Sequence, residues 1–302
     1  MNLICTGDWH IRLQKPENRI DDYCDAQMGK IDWIFKQRIG TEKSYILQPG
    51  DFFDNPSVPY SVFSNCINLI SANMNNNCTP IMSVFGQHDL RYRASKHNTA
   101  LNALSCANKV TILNEKPIYQ DSFGLRIVGC SWGEEIPTPS SEVEINILVI
   151  HKMIIDEKLY AQQEGFERAD KFLKKHKFDL IVSGDNHKGF IQEYKGRYLV
   201  NCGSLMRANK DQFDHKPFIV IYDTNTKTIE RRYIPIRPIK YIFDIDSIEK
   251  TKERNEKLKV FVEGLSQHKD MGLNFMDNLV DYMGKEKIGK EIKDFIMEQA
   301  NG

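Results

Sequence analysis

"IVSGDNHKGF", residues 181–190, carries an apolar run as far as Gly184 and then turns directly into Asp185, Asn186 and His187. Gly, Asp and Asn are the usual residues of a tight turn after a strand, so the stretch alone reads either as a turn or as a set of ligands. The same pattern recurs upstream. Apolar runs at 2–6, 44–48, 80–85, 125–130, 145–150 and 179–183 read as buried strands. Amphipathic stretches at roughly 21–38, 60–74, 97–106 and 157–176 lie between several of them and predict helices. This alternation predicts a layered α/β fold, with central mixed β-sheets flanked by helices. Closely spaced strands at about 190–194, 197–201, 217–223 and 228–234, with "YKGR" and "TNTK" as turns, add a hairpin-rich part.

The 302 residues suffice for one large or two smaller domains, and 41% hydrophobic content supports a real core. Lys plus Arg and Asp plus Glu are equal at 41 each, so net charge alone points to neither nucleic acid nor membrane. Seven cysteines without a CxxC pair imply buried thiols in a reducing compartment, not a disulfide framework. With no long apolar segment at the N-terminus or elsewhere, a soluble, intracellular (cytoplasmic) protein is expected. The passage "YIPIRPIKYIFDIDSIEK", 233–250, carries Pro235 and Pro238 and reads as the way out of the main domain. The expected division is residues 1–235 for the main domain and 236–302 for a small cap segment and C-terminal helices. Those helices are expected either to cover the main domain or to present a surface to a partner.

Five polar clusters stand at the ends of five strand candidates. They are Asp8 and His10 in "CTGDWHIR", Asp51 and Asp54 in "LQPGDFFDN", Gln87, His88 and Asp89 in "SVFGQHDL", His151 in "ILVIHKM", and Asp185 with His187. Each cluster alone is compatible with an ordinary turn. In an α/β fold, however, the carboxyl ends of strands meet at one rim, and one shared explanation for five coincidences is a site there. Oxygen and imidazole donors without a thiolate cluster suit Mn(II), Mg(II), Fe(II) or Zn(II). The donor count suits two ions bridged by a central carboxylate such as Asp51, an arrangement fitted to phosphoester hydrolysis. His88, oriented by Asp89, fits a general acid for the leaving oxygen.

The ordered motifs DxH, GDxxD, G(N/Q)HD, H and GxxH resemble the calcineurin-like metallophosphoesterase superfamily. "TGDWHIR", "NCGSLMR" at 201–207 and "IPIRPIKYIFDID" are similar to segments of its SbcD/Mre-eleven-like nuclease branch. The resemblance covers roughly residues 1–245. It implies one metal on Asp8, His10, Asp51 and His187 and a second on Asp51, Gln87, His151 and Asp185, with Mn(II) favoured. Two positions depart from the family pattern: Gln87 replaces the usual Asn, and Asp185 replaces a His. Both fall on the second metal, which implies either a retuned, harder site or one that has lost its ion.

By resemblance, the leading expectation is a DNA exonuclease or endonuclease, the nuclease subunit of an SbcCD-like repair or recombination complex. Its partners would be DNA and an SbcC-like coiled-coil ATPase held through the C-terminal helices, and a homodimer is compatible with it. Arg12, Lys152 and Arg207 are the expected phosphate contacts, and Arg19 is a further candidate. Two alternatives remain at this stage: a phosphodiesterase or phosphatase acting on a small molecule or phosphoprotein, and a non-catalytic scaffold for an ATPase.

Overall fold

The computed structural model describes residues 1–37, 44–74, 80–120, 124–158, 164–267, 275–285 and 288–300. The chain divides into two compact units, Met1–Ile242 and Phe243–Gly302. In chain order the first unit contains β1 (Asn2–Cys5), α1 (Tyr23–Phe35), β2 (Ser44–Gln48), α2 (Tyr60–Met74), β3 (Ile81–Ser83), α3 (Ala100–Cys106) and β4 (Val110–Ile112). It continues with β5 (Ile118–Gln120), β6 (Leu125–Cys130), β7 (Ile145–His151), β8 (Ile154–Ile155), β9 (Glu167–Arg168), α4 (Ala169–Lys175) and β10 (Leu180–Gly184). Four more strands close it: β11 (Phe190–Tyr194), β12 (Arg197–Asn201), β13 (Phe218–Asp223) and β14 (Thr228–Tyr233).

Two six-stranded sheets form the centre, in the orders β14-β13-β1-β2-β3-β4 and β11-β12-β10-β7-β6-β5. In each, four neighbouring strands are parallel (β1 to β4, and β12-β10-β7-β6), with antiparallel strands beyond them. The central strands are apolar throughout because both faces are covered. Leu3 and Cys5 of β1, Tyr45 and Leu47 of β2, and Ile145, Ile147 and Val149 of β7 meet in the layer between the sheets. The alternate residues face outward. Ile4 and Ile46 join Ile31 and Ile34 of α1 and the stripe Val62, Cys66 and Ile70 of α2, spaced to share one helix face. On the other side, Leu148, Ile150 and Ile181 pack against Phe172 and Leu173 of α4. This four-layer αββα arrangement is the mixed α/β fold predicted from the alternation. The six described cysteines are unpaired. Among the described residues, no helix is long and apolar enough to cross a membrane.

Three differences from expectation have local causes. Within the helix expected at 157–176, the described residues are helical only in α4, because Gly165, at φ +71°, interrupts the pattern, and Glu167–Arg168 pairs with Ile154–Ile155 instead. Residues 159–163 of that stretch lie outside the described residues. The strands β4 and β5 were not anticipated, since three residues are too few to show a period. The first unit extends to Ile242, beyond the expected boundary at 235. Ile234 is buried in its core, Ile20 N–H donates to Ile242 O, and Arg207 donates to Arg237 O.

The second unit contains α5 (Ile245–Gln267), α6 (Phe275–Lys285) and α7 (Lys290–Ala300) around a small core of Leu279, Met283 and Ile296.

Close backbone approach makes Gly7 the most constrained glycine: a Cβ there would lie 1.7 Å from Gly203 O. Gly29, inside α1, has nothing within 4 Å of its would-be Cβ. The two therefore predict opposite signs in urea denaturation. Gly7→Ala should destabilise the first unit by about 3 kcal/mol or more, and Gly29→Ala should stabilise it by about 0.5–1 kcal/mol. Equal effects at the two positions would contradict the close approach of the loops after β1 and β12.

Candidate metal centre

Five strand ends deliver the site. Asp8 and His10 follow β1, Asp51 follows β2, Gln87 and His88 follow β3, His151 ends β7, and Asp185 and His187 follow β10. The loops are tied together by backbone hydrogen bonds. Trp9 N–H and His10 N–H donate to Asp51 O at 3.1 and 2.9 Å, Asp8 N–H donates to Gly203 O at 3.1 Å, and Leu205 N–H donates to Asp8 O at 2.8 Å. His10, Asp51 and Asp185 all take left-handed backbone conformations, at φ +45°, +48° and +78°. Three such non-glycine residues in one site are local strain that the surrounding loops hold in place. Gly86 leaves room for Asp51, since a Cβ there would lie 2.1 Å from Asp51 Oδ1.

The side chains form a dense set of donors. His10 Nε2 faces His187 Nε2 at 3.0 Å, and Asp8 Oδ2 lies 3.7 Å from His187 Nε2. Asp51 Oδ2 stands between two imidazoles, 3.6 Å from His10 Nε2 and 3.5 Å from His151 Nε2, too far for strong hydrogen bonds. His151 Nδ1–H donates to Pro49 O at 2.7 Å, which leaves Nε2 as the ring nitrogen that faces Asp51 and can take an ion once deprotonated. Gln87 Nε2 donates to Asp185 Oδ1 at 2.8 Å, which orients the amide so that its oxygen is its remaining donor atom. Asp185 N–H in turn donates to Asp8 Oδ2 at 2.9 Å.

Whether these residues fit divalent ions is answered by what their remaining atoms lack. Asp8 Oδ1, Asp51 Oδ2, Gln87 Oε1 and His151 Nε2 are buried without hydrogen-bond partners. A buried polar atom left unpaired costs about 1–3 kcal/mol, and more if charged. Four together cost roughly 4–12 kcal/mol, comparable to the net stability of a whole domain. They come from four strand ends, and every one is a metal-ligand type. Asp8, His10 and His187 converge within ligand distance of one another, as do His10, Asp51 and His88. The donor set therefore fits two divalent cations, with Asp51 Oδ2 placed to be shared.

Electrostatics points the same way. Burial, countered by His151 and reinforced by Asp51, pushes the Asp8 carboxyl well above the usual range. Burial also works against Asp51, but His151 and then His10 hold it down to about 2. His151 is the reciprocal case: against its own burial, Asp51, Asp8 and Asp185 raise it to about 10. The carboxylates draw a positive charge onto the buried imidazole among them, the charge that a bound cation would supply.

The structure thus brings together Asp8, His10, Asp51, Gln87, His151, Asp185 and His187, with His88 at the edge. Arg12 lines the same cleft, of about 190 Å³, where its guanidinium donates to Asp54 Oδ2 at 3.1 Å and lies over the Tyr23 ring. Three expectations are corrected. Asp89 does not orient His88: its carboxylate accepts N–H donors from Phe52, Phe53 and Gly86, and His88 Nδ1 is held instead by Asp54 O at 2.9 Å. Arg207 is buried and donates to Phe213 O and Arg237 O, away from the cleft. Lys152 is paired with Glu167 at 3.2 Å and is not among the cleft residues.

Two contributing residues were not assigned a role from the sequence. Asp54 Oδ1 lies 3.4 Å from His10 Nδ1 and so orients that imidazole; its place in GDxxD was the available signal. Gln27 is fully buried in α1. It donates to Trp9 O and His10 O and accepts from Arg12 N–H, and no sequence pattern marks it.

Comparison with known proteins places these features in a family. The calcineurin-like phosphoesterase family matches residues 1–189. The DNA double-strand break repair protein Mre11 of Haloferax volcanii is 22% identical over 270 residues, 83% of this chain and 57% of that protein. The chain therefore spans a little over half the length of this curated relative. Among solved structures, the protein TT1561 of Thermus thermophilus is similar over 78% of this chain and 99% of that one, with 12% identity and a TM-score of 0.45. Wild-type Vps29 complexed with zinc from Entamoeba histolytica is similar over 78% and 100%, with 13% identity and a TM-score of 0.35.

The ligand geometry has consequences for metal binding. With its pKa raised to about 10, His151 carries a proton on Nε2 as well as Nδ1 at neutral pH, and an ion can bind Nε2 only as that proton leaves. Mn(II) binding should therefore release a proton, and affinity should strengthen by up to about tenfold per pH unit over roughly pH 6 to 9. Calorimetric titration in buffers of different ionisation enthalpy measures that release, and a pH-independent affinity would contradict it. Asp185→His exchanges a hard oxygen for a nitrogen donor and should shift preference from Mn(II) toward Zn(II) by about tenfold. Unchanged stoichiometry together with unchanged preference would make Asp185 a turn residue only.

Proposed function

The chain belongs to the calcineurin-like phosphoesterase family, and from that premise we propose that it is a dinuclear-metal-dependent phosphodiester hydrolase acting on DNA. It serves as the nuclease subunit of an SbcCD-like complex whose ATPase partner docks through the C-terminal helices. The single observation that carries the hydrolase reading is the set of four unpaired, buried, ligand-type atoms from four strand ends around Asp51. The similarity to a protein named for DNA double-strand break repair supports the choice of DNA. The oxygen-rich second ligand set, Asp51, Asp185 and the Gln87 carbonyl, favours Mn(II).

Asp8, His10, Asp51 and His187 would hold one ion, and Asp51, Gln87, His151 and Asp185 the other. Such ions supply Lewis acidity to a phosphoryl group and stabilise both the attacking and the leaving oxygen. The chain's own groups do the rest. His88 lines the open cleft with Nδ1–H committed to Asp54 O, so it acts as the imidazolium, whose Nε2–H is the proton left to pass to the leaving oxygen, the ring returning to its neutral Nδ1–H form. Arg12, held in place by the Asp54 carboxylate and the Tyr23 ring, is positioned to orient a phosphate. Asp54 links the two roles, since its carboxylate also faces His10 and its carbonyl holds His88.

His88→Asn should lower kcat for DNA cleavage by about 10²–10⁴-fold while leaving both ions bound. The assay is Mn(II)-dependent cleavage of single-stranded, duplex and hairpin DNA, with metal counted on the same preparations. No cleavage of any DNA with Mn(II), alongside turnover of a small chromogenic phosphodiester, would move the substrate away from DNA.

A further inference from the structure

Beside the metal cleft lies a second cavity, of about 250 Å³, that the hydrolytic reading does not use. The two share Met206, so the loop from Ser204 to Gln212 forms a wall of both. What distinguishes the second cavity is its charge. Arg19 and Arg207 are both only 4% exposed, and Lys30 is half-buried on α1. Among the described residues, Asp21, paired with Arg19 at 2.8 Å, is the only carboxylate that lines it.

Main-chain oxygens and the Asp21 carboxylate hold these three cations, and the exposed Arg237 is a fourth that lines the cavity. Arg19 donates to Arg207 O, Lys30 Nζ donates to Leu205 O at 2.8 Å, and Arg207 donates to Phe213 O and Arg237 O. Carbonyls fix the direction of a guanidinium or ammonium group but do not cancel its charge in a low-dielectric setting, so one carboxylate, already bidentate on Arg19, faces four cations. Burial first, then Arg207 and Arg19 against the opposing pull of Asp21, hold the Lys30 ammonium down to about 7. Trp33, Ile234 and Ile236 give the same cavity an apolar lining.

We propose that this cavity binds a small phosphate anion, with the phosphate at Arg207, Arg19 and Lys30 and any organic body against Trp33. Guanidinium groups set by main-chain contacts are suited to phosphate oxygens. The volume of about 250 Å³ lies just under the roughly 300 Å³ at which typical ligand pockets begin, so it suits a small anion and not a nucleic-acid strand. The free phosphate and a nucleoside monophosphate offer the same anion. The second identity rests on the nuclease reading, because stepwise hydrolysis of DNA releases it. A ligand here touches the reverse side of the loop whose Ser204, Ala208 and Asn209 line the metal cleft.

The test is calorimetric titration of the whole protein in EDTA with inorganic phosphate, deoxyadenosine monophosphate and adenosine. Saturable binding of at least one of the two phosphates, with adenosine at least tenfold weaker, is expected, and the tighter of the two identifies the source. Lys30→Met removes one cation and should weaken binding at least tenfold. Gly29→Phe should abolish it by filling the mouth, and Gly29 has open space for the new side chain. His88→Asn, in the metal cleft, should leave it unchanged. Absence of binding by both phosphates, or binding that survives both Lys30→Met and Gly29→Phe, overturns the proposal. Because no metal and no turnover are involved, either result is independent of whether DNA is the substrate.

Discussion

Buried carboxylates and imidazoles at the carboxyl ends of five strands need positive charge, and much of the first unit is arranged around that need. Asp8 and Asp51 are buried to the point of having no exposed surface, within reach of His151 and Asp185. Without compensation, such a cluster would cost a large part of a domain's net stability. The two sheets bring the cluster together, because their parallel strands run in register and end at a common rim: Cys5 lies opposite Leu47, and Gly184 opposite His151. The absence of side chains at Gly86 and Gly184 then lets neighbouring loops approach Asp51 and Asp8.

Around those candidate ligands, a layer of neutral and charged partners fixes direction. Pro49 O sets the His151 tautomer, Asp185 sets the Gln87 amide, Asp54 faces His10, and Gln27 ties the His10 loop to α1. These contacts decide which lone pairs face inward, and such partners commonly matter for metal affinity nearly as much as the ligands themselves. The left-handed conformations of His10, Asp51 and Asp185 belong to the same layer of constraint.

Much of this was legible in the sequence because the candidate ligands sit at strand ends, where an apolar run stops and a Gly-Asp or His follows. The strands were legible because burial on both faces makes them continuously apolar. Part of what failed had one cause: neighbours in sequence are not always neighbours in space. Asp89 adjoins His88 along the chain, yet the turn sends its carboxylate to the backbone of residues 52, 53 and 86, while a carbonyl 34 residues away holds the imidazole. Arg207 follows a recognisable motif, yet it lines the cavity on the other side of its loop. Gln27 carries no signal, because a buried glutamine in a helix looks like any surface glutamine until α1 is placed against the loop. The helix expected through Gly165 failed because periodicity was read across a residue whose backbone leaves the helical region.

The central claim is that Asp51 is shared by two ions, one toward His10 and one toward His151. Anomalous diffraction at the manganese edge, from crystals of the protein soaked in Mn(II), tests it most directly. The account predicts two peaks about 3.5–4 Å apart with the Asp51 carboxylate between them, one flanked by Asp8, His10 and His187 and the other by Gln87, His151 and Asp185. A single peak, or two peaks with Asp51 bound to neither or only one, would contradict it.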